Sequence, residues 1–322
     1  EDRKRSFFSD AACLTRCDGD ISSMEAAMRM TNPLADNAPT DPGDHVLVMR
    51  ARSGDREALE ELVRHHQGWI YNIALRMVFY PQDAEDATQE ILLKAVTSLS
   101  SFEGRSSFRT WLYRMVVNHV LNMKRGRAEQ AIVSFSAYGQ AIDDTPDLDP
   151  PDPGIASPEV RLLVDEAMRS CTSGMLLCLD REQRLTYILG QIFGVTDTVA
   201  AEVLEISSEN FRQRLTRARR DLRNFMSNKC GLVNRANPCR CARKTRGFIQ
   251  AGHVDPENLL FTRDRICEVR EAVPKAYETI KTLDDKCADI YRGHPFYQPP
   301  DLGQRLRQLV ESPDLRRATD RM

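Results

Sequence analysis

One predicted helix in the second half of the chain carries side chains that could bind nucleic acid. Residues 208–223 contain two acidic residues and six arginines. The arginines are Arg212, Arg214, Arg217, Arg219, Arg220 and Arg223. A guanidinium group can bind phosphate oxygens or the edge of guanine, and a glutamine amide can pair with adenine. On its own, however, a basic amphipathic helix is more typical of a solvated surface.

The segment before this helix favours DNA binding. Residues 196–198 predict the start of a short helix, and Ser207 with Ser208 predicts the start of the arginine-rich one. The small residues Ala200 and Ala201 would let the two helices cross closely. This combination predicts a helix-turn-helix.

A second group of charged residues lies in the first half of the chain. The stretch from Asp83 to Leu99 repeats apolar residues every three or four positions, which predicts a helix with one buried side. Asp86, Gln89 and Glu90 fall on the opposite, solvated side. This acidic face predicts a basic partner.

The helix predicted next has a different character. Ser106 and Ser107 are suited to its amino-terminal cap, and its apolar stripe runs from Phe108 to Met123. Basic, aromatic and amide side chains occupy its other positions, including Arg109, Tyr113, Arg114, Asn118 and Asn122. A helix of this kind predicts an anionic partner.

Two motifs in these helices resemble region 2 of bacterial sigma factors of the sigma-70 family. They read Asp-Ala-Glu-Asp-x-x-Gln-Glu at residues 83–90 and Ser-Phe-Arg-Thr-Trp-Leu-Tyr-Arg-x-x-x-Asn at residues 107–118. The closest group is the extracytoplasmic-function class. The resemblance implies that the acidic helix docks on a coiled coil of the RNA polymerase beta-prime subunit, through Asp86, Gln89 and Glu90.

The same resemblance implies that the next helix captures the unwound minus-10 promoter element. The matching positions are Arg109, Trp111, Arg114 and Asn118. Asn118 matches the position that contacts a flipped base, whereas Trp111 could equally be a core residue.

Residues 179–219 resemble sigma region 4, which reads the minus-35 element. The positions implied to face DNA are Ser208, Arg212, Gln213, Thr216 and Arg217. One departure is Glu205, where many members of the family have glycine at the turn. We expect a left-handed backbone at this glutamate to cost about 1 kcal/mol.

The cysteines leave two interpretations open. Cys230, Cys239 and Cys241 with His253 could supply four zinc ligands, but their spacing lacks paired Cys-x-x-Cys motifs. We therefore expect reduced structural or redox-sensitive thiols, no resident metal and no cofactor. An odd total of nine cysteines in a chain of 322 residues favours a reducing cytoplasm. No apolar run approaches the roughly 20 residues of a membrane span, so we expect no membrane insertion.

The sequence predicts an all-α fold of two small helical domains with a helical extension. The expected divisions are a disordered tail at 1–42, a region 2-like domain at 43–127, an extended acidic, proline-rich linker at 128–157, a region 4-like domain at 158–226 and a cysteine-containing extension at 227–322. A heptad seam from Ile266 to Ile290 is interrupted by Pro274. We expect two short helices there, docked on the rest of the chain, and a final helix at 302–310.

The expected function is promoter recognition as a non-catalytic subunit of RNA polymerase. The expected partners are the beta-prime and beta subunits of the core enzyme and promoter DNA, and an anti-sigma factor is a further candidate. One alternative is a stand-alone helix-turn-helix regulator, which would have no use for the acidic face. A second is a zinc or thiol-redox protein, which the absence of a Cys-x-x-Cys pair disfavours.

Overall fold

The structure is a computed structural model that describes residues 42–132, 134–148, 158–262, 283–300 and 302–303. All elements of regular secondary structure within these ranges are helices. The one exception is an isolated β-bridge between the backbones of Cys230 and Cys239. The predicted all-α class is confirmed. None of the described helices is both long and apolar enough to cross a membrane.

Four helices form the amino-terminal bundle, with a short 3-10 turn at Leu99–Ser101. They are α1 (Pro42–Arg52), α2 (Arg56–Val78), α3 (Pro81–Thr97) and α4 (Phe108–Asn122). Asp55 begins α2 by accepting hydrogen bonds from two backbone N–H groups, and Ser107 begins α4 by accepting one from Thr110. At the centre, the ring of Trp69 stacks on that of Tyr113 with 4.0 Å between ring centroids.

The second half contains the predicted helix-turn-helix. The helices of this half are α7 (Pro158–Leu177), α8 (Arg181–Tyr187, continued by a π turn at Ile188–Ile192), α9 (Asp197–Leu204) and α10 (Ser208–Lys229). The helix-turn-helix consists of α9 and α10. Glu205 ends α9 in a left-handed conformation, with φ of 55° and ψ of 40°. The backbone strain expected at this position is therefore present.

The linker prediction is wrong for its first part. Helices α5 (Arg127–Ala131) and α6 (Phe135–Asp144) occupy residues for which the sequence suggested extended backbone. Helix α6 forms because Phe135 and Tyr138 pack against Phe225 of α10. The prolines and half of the acidic residues of the predicted linker come after this helix, at 145–148 and in residues 149–157, which lie outside the described ranges.

A buried arginine joins the two halves. Arg184 of α8 donates to the carbonyl oxygen of Met77 in α2 at 2.5 Å and to Oε1 of Glu129 in α5 at 2.8 Å. Its other N–H groups donate to the carbonyl oxygens of Leu176, Leu177 and Leu179. Burial raises the pKa of the Glu129 carboxyl, but Arg181 and Arg184 lower it by more, so this pKa lies below its ordinary value.

The described part of the carboxyl-terminal extension packs on both halves. It contains α11 (Cys241–Gln250) and α12 (Leu283–Arg292). Arg223 of α10 pairs with Asp284 of α12 at 3.1 Å. The side-chain amide of Asn72 in α2 exchanges two hydrogen bonds with the backbone of Tyr297, at 2.8 and 3.0 Å.

Several sequence predictions lie outside the described residues. These are the tail up to residue 41, Pro274 with the heptad seam before residue 283, and the final helix after residue 303.

We expect the buried Glu129–Arg184 contact to stabilise the folded chain. Glu129→Gln should lower the free energy of unfolding by about 3 kcal/mol at neutral pH, because it leaves a buried guanidinium without its counter-charge. Urea unfolding measures the effect. Glu103→Gln is the control, since Glu103 pairs with Arg105 on the surface, where the two side chains are 61% and 86% exposed. We expect that change to cost less than about 0.5 kcal/mol.

The pH dependence tests the same contact. The pKa of Glu129 is lowered from 4.5 in the folded chain, so its stabilising contribution is present above that value. The contribution is lost as the pH falls through the folded pKa. The difference in the free energy of unfolding between wild type and Glu129→Gln should therefore decrease at acidic pH. A difference that stays constant from neutral to acidic pH would contradict this account.

Candidate nucleic-acid and partner interfaces

Helix α3 presents its acidic residues on an open surface. Asp86 and Glu90 are exposed and Gln89 is half-buried, whereas Ala87 and Ile91 on the other side are buried. The buried side fixes the helix against the bundle, so the orientation of the acidic face does not depend on a partner. The predicted solvated face is therefore present.

Behind this face lies a histidine of α4. Nε2 of His119 is 3.9 Å from Oε2 of Glu90. Burial lowers the pKa of His119, and the opposing effect of Glu90 is smaller. The histidine therefore adds little positive charge to the acidic face at neutral pH.

The four candidate residues of α4 fall into two pairs. Arg109 and Trp111 are half-buried in the bundle. The Trp111 ring lies 5.3 Å from Phe102 and 5.5 Å from Phe108 between centroids, and the Arg109 guanidinium is 3.9 Å from the buried carboxylate of Asp44. Both side chains help to pack α4 onto its neighbours.

The two residues of the other pair, Arg114 and Asn118, lie one helical turn apart. Asn118 is exposed, and Arg114 is half-buried. Nη2 of Arg114 is 3.4 Å from Oε1 of Glu202 in α9, so this side of α4 lies against the first helix of the helix-turn-helix. Glu202 could not be recognised as a partner from the sequence, because it is 88 positions from Arg114 and no local pattern links them.

Helix α10 turns its predicted DNA-facing residues to solvent. Arg212, Gln213, Thr216 and Arg217 are all exposed and line one shallow surface groove together with Glu209. Their buried counterparts Phe211, Leu215 and Ala218 hold the opposite side of the helix.

Local contacts hold part of this groove in place. Arg212 is 2.5 Å from the carboxylate of Asp197 in α9, and the Gln213 amide donates to Glu209 at 3.3 Å. Ser208 is half-buried in the first turn, directly after the capping residue Ser207. The groove therefore contains arginine, amide and hydroxyl donors on a rigid helix.

The cysteine candidates are only partly brought together. Cys230, Cys239 and Cys241 line one small cavity, and His253 does not line it. His253 is exposed, and its ring packs against Phe248 with 6.1 Å between centroids. In the part of the chain that the structure describes, no group of three or more His, Cys, Asp or Glu side chains is placed so that it could hold a metal ion.

The cavity has a fourth cysteine that the sequence pattern does not indicate. Cys171 of α7 lines it together with the other three. Its separation of 59 residues from Cys230 gives no recognisable metal-binding spacing.

Comparison with known proteins identifies the family. Residues 62–130, from α2 to α5, match the Sigma-70 region 2 family. The RNA polymerase sigma-H factor of Pseudomonas aeruginosa is 32% identical over 190 residues, which are 56% of this chain and 92% of the relative.

Two further relatives carry the name ECF RNA polymerase sigma-E factor. The protein from Escherichia coli K12 is 29% identical over 184 residues, covering 56% of this chain and 93% of its own length. The protein from Haemophilus influenzae is 27% identical over 186 residues, covering 56% and 94%. The chain therefore belongs to the extracytoplasmic-function class of the sigma-70 family, whose members are non-catalytic subunits that direct RNA polymerase to promoters.

Proposed function

We propose that the acidic face of α3 binds the beta-prime subunit of core RNA polymerase. The observation that carries this assignment is the exposure of Asp86 and Glu90 on a helix whose other side is fixed in the core. Two carboxylates one helical turn apart attract a basic surface and repel an acidic one, which favours specific docking. Gln89 adds a hydrogen-bonding group between them.

The exposed groove of α10 is proposed to bind the minus-35 duplex. A helix of this width fits the major groove, where arginine and glutamine side chains can reach base edges and phosphates. Arg212, Gln213, Thr216 and Arg217 share the exposed side, and Ser208 lies at the amino-terminal end of the helix. The backbone N–H groups at that end favour a phosphate contact.

Helix α4 is proposed to act on the minus-10 element after its strands separate. Extraction of a base from the stack costs a few kcal/mol, which contacts to the flipped base must offset. Asn118 is exposed and can supply such contacts, with the Arg114 guanidinium one turn away for a phosphate. Arg109 and Trp111 contribute by holding α4 in position, since both pack inside the bundle.

These assignments require the two halves to move apart on a promoter. The minus-35 and minus-10 elements are about 25 base pairs apart, which is roughly 85 Å of duplex at about 3.4 Å per base pair. In the structure, Arg114 on α4 is 3.4 Å from Glu202 on α9. We therefore infer that this is a closed form, in which α9 covers the Arg114 side of α4.

The polymerase assignment predicts the effect of a charge reversal. Asp86→Lys with Glu90→Lys should weaken binding to core polymerase at least fivefold, or by about 1 kcal/mol, because it places like charges together. Fluorescence titration of the core enzyme with labelled protein measures the affinity.

Glu57→Lys with Glu61→Lys is the matched control. Both residues are exposed on α2, and they have the same spacing and change the charge by the same amount. This variant should bind core polymerase within about twofold of wild type. Unchanged affinity in a folded Asp86→Lys/Glu90→Lys protein would remove the assignment.

The two DNA assignments predict separable defects. Arg217→Ala should weaken binding to a minus-35 duplex. If its contact is to phosphate, the change should also reduce the slope of the logarithm of the binding constant against the logarithm of the salt concentration by about one. Asn118→Ala should leave duplex binding intact and slow promoter opening by the holoenzyme, because it acts only on an unstacked base. Gel-shift titration and permanganate footprinting measure the two effects.

Arg220→Ala controls for the loss of positive charge from α10. Arg220 is exposed on the same helix, but it lies outside the groove and pairs with Asp221. It should affect duplex binding less than Arg217→Ala does. If Asn118→Ala opens the promoter at the wild-type rate, its proposed role is wrong.

A further inference from the structure

The carboxyl-terminal extension contacts the chain that joins the two halves. Directly after α6, residues 145–148 lie along α11. The ammonium group of Lys244 in α11 is buried and donates to the carbonyl oxygen of Thr145. The same group lies 3.3 Å from the carboxylate of Asp147. One lysine of the extension therefore binds both the backbone and a side chain of this segment.

A glycine of α11 allows the segment to approach so closely. A side chain at Gly247 would lie 2.6 Å from the carbonyl oxygen of Pro146 and 2.7 Å from Cγ2 of Thr145. A backbone oxygen can avoid that contact only if the whole segment moves. The close approach also lets the backbone N–H of Leu148 donate to the carbonyl oxygen of Arg243 at 3.1 Å.

Helix α6, which precedes the segment, is held by α10. The ring of Phe135 packs on that of Phe225 with 5.1 Å between centroids. At the other end of α6, Asp143 pairs with Lys229 in the last turn of α10. Residues 135–148 therefore form one continuous docked linker, whose first part lies on α10 and whose last part lies on α11.

Helix α11 is itself fixed to the DNA-binding half. Phe248 of α11 packs with Ala167 of α7 in a small apolar cluster, and Leu163 and Ile249 lie at its edge. The docked linker therefore belongs to the DNA-binding half. Only the chain before Phe135 is left to extend toward the amino-terminal bundle.

The docked linker limits how far the two proposed DNA contacts can separate. The 13 residues from Asn122 to Phe135 reach at most about 45 Å when fully extended, even if α5 unwinds. At about 1.5 Å per residue, α4 adds about 6 Å back to Asn118, and α10 adds about 12 Å from Phe225 to Arg217. With the packed ring pair included, the backbones of Asn118 and Arg217 can be at most about 75 Å apart. This is less than the roughly 85 Å between the two promoter elements.

We propose that α11 holds the docked linker reversibly, and that release of the linker lengthens the connection between the two halves. The proposal rests on the proposed separation of the halves on a promoter. After release, the connection runs from Asn122 to Pro158 and reaches about 120 Å when fully extended. This exceeds the distance between the promoter elements, so release removes the limit.

The contacts that hold the linker are suited to release. The side chains of Asp143 and Asp147 are 49% and 43% exposed, so their pairs with lysines are partly solvated and each contributes little. When the linker leaves, water reaches the ammonium group of Lys244, and no buried charge remains without a partner. A segment held in this way can open locally while α10 and α11 stay folded.

Hydrogen exchange at the Leu148 amide tests the contact, because this N–H donates to Arg243. In the free full-length chain, the amide should exchange slowly. Gly247→Ala should speed its exchange at least about tenfold, because the added methyl group displaces Pro146. The amides of α11 should keep their protection, since alanine favours a helix more than glycine does.

Two further variants separate this contact from general effects on α11. Lys244→Met removes both polar contacts of the buried lysine and should also speed exchange at Leu148. Arg243→Ala is the matched control, since it removes the same charge from an exposed neighbour and keeps the carbonyl oxygen that Leu148 uses. Exchange in this control should stay within about twofold of wild type.

The wild-type chain tests release without any substitution. In a promoter complex with core polymerase, the Leu148 amide should lose the protection that it has in the free chain. An amide that stays protected in that complex, or that is unprotected in the free chain, would overturn the proposal. Unchanged exchange in a folded Gly247→Ala chain would overturn it as well.

The measurement on the free chain does not involve a promoter. It therefore distinguishes failure of this proposal from failure of the proposed function. A Leu148 amide that is protected in wild type and exposed by Gly247→Ala, in a chain that does not initiate at promoters, would contradict the promoter assignments alone.

Discussion

The buried guanidinium of Arg184 determines how the two halves of this sigma factor meet. It uses carbonyl oxygens at the end of α7, one from α2 and the carboxylate of Glu129, so all of its contacts come from inside the protein. A buried charge of this kind is stable only while its partners stay in place. Any separation of the halves must therefore hydrate Arg184 or move α5 together with it.

This constraint links stability to function. The proposed reading of two distant promoter elements requires an open form, whereas Arg184, the Arg114–Glu202 contact and the docked extension favour a closed one. Core polymerase can shift this equilibrium only by binding the open form more tightly. The acidic face of α3 is exposed in the closed form, so the proposed docking of the polymerase on this face can precede opening.

Much of the helical architecture could be predicted from local sequence. The apolar spacing in α3 and α10, the cap at Ser107 and the left-handed turn at Glu205 all depend on neighbouring residues, and the structure contains each of them. The predicted extended backbone was wrong at α6. The prolines and acidic residues that follow Ile142 predicted an extended linker, although Phe135, Tyr138 and Ile142 have helical spacing. The packing of α6 on Phe225 is a long-range contact that no local pattern reveals.

The candidate sites divide in the same way. The exposure of residues on one face of one helix, such as Arg212 and Thr216, follows from the helical spacing of their buried neighbours, whereas their proposed contact with DNA depends on the resemblance to sigma region 4. The partner of Arg114 and the fourth cysteine could not, because Glu202 and Cys171 approach their partners only after distant helices pack. The burial of Trp111 likewise depends on Phe102, which belongs to a separate segment of the chain.

Reconstituted transcription tests the central claim most directly. Core RNA polymerase would be combined with the purified full chain and a pool of genomic promoter fragments, and the 5′ ends of the transcripts would be sequenced. We predict initiation at a discrete set of sites that share minus-35 and minus-10 elements and that are silent with core enzyme alone. Initiation indistinguishable from that of core enzyme alone, by a chain that still binds duplex DNA, would contradict the account.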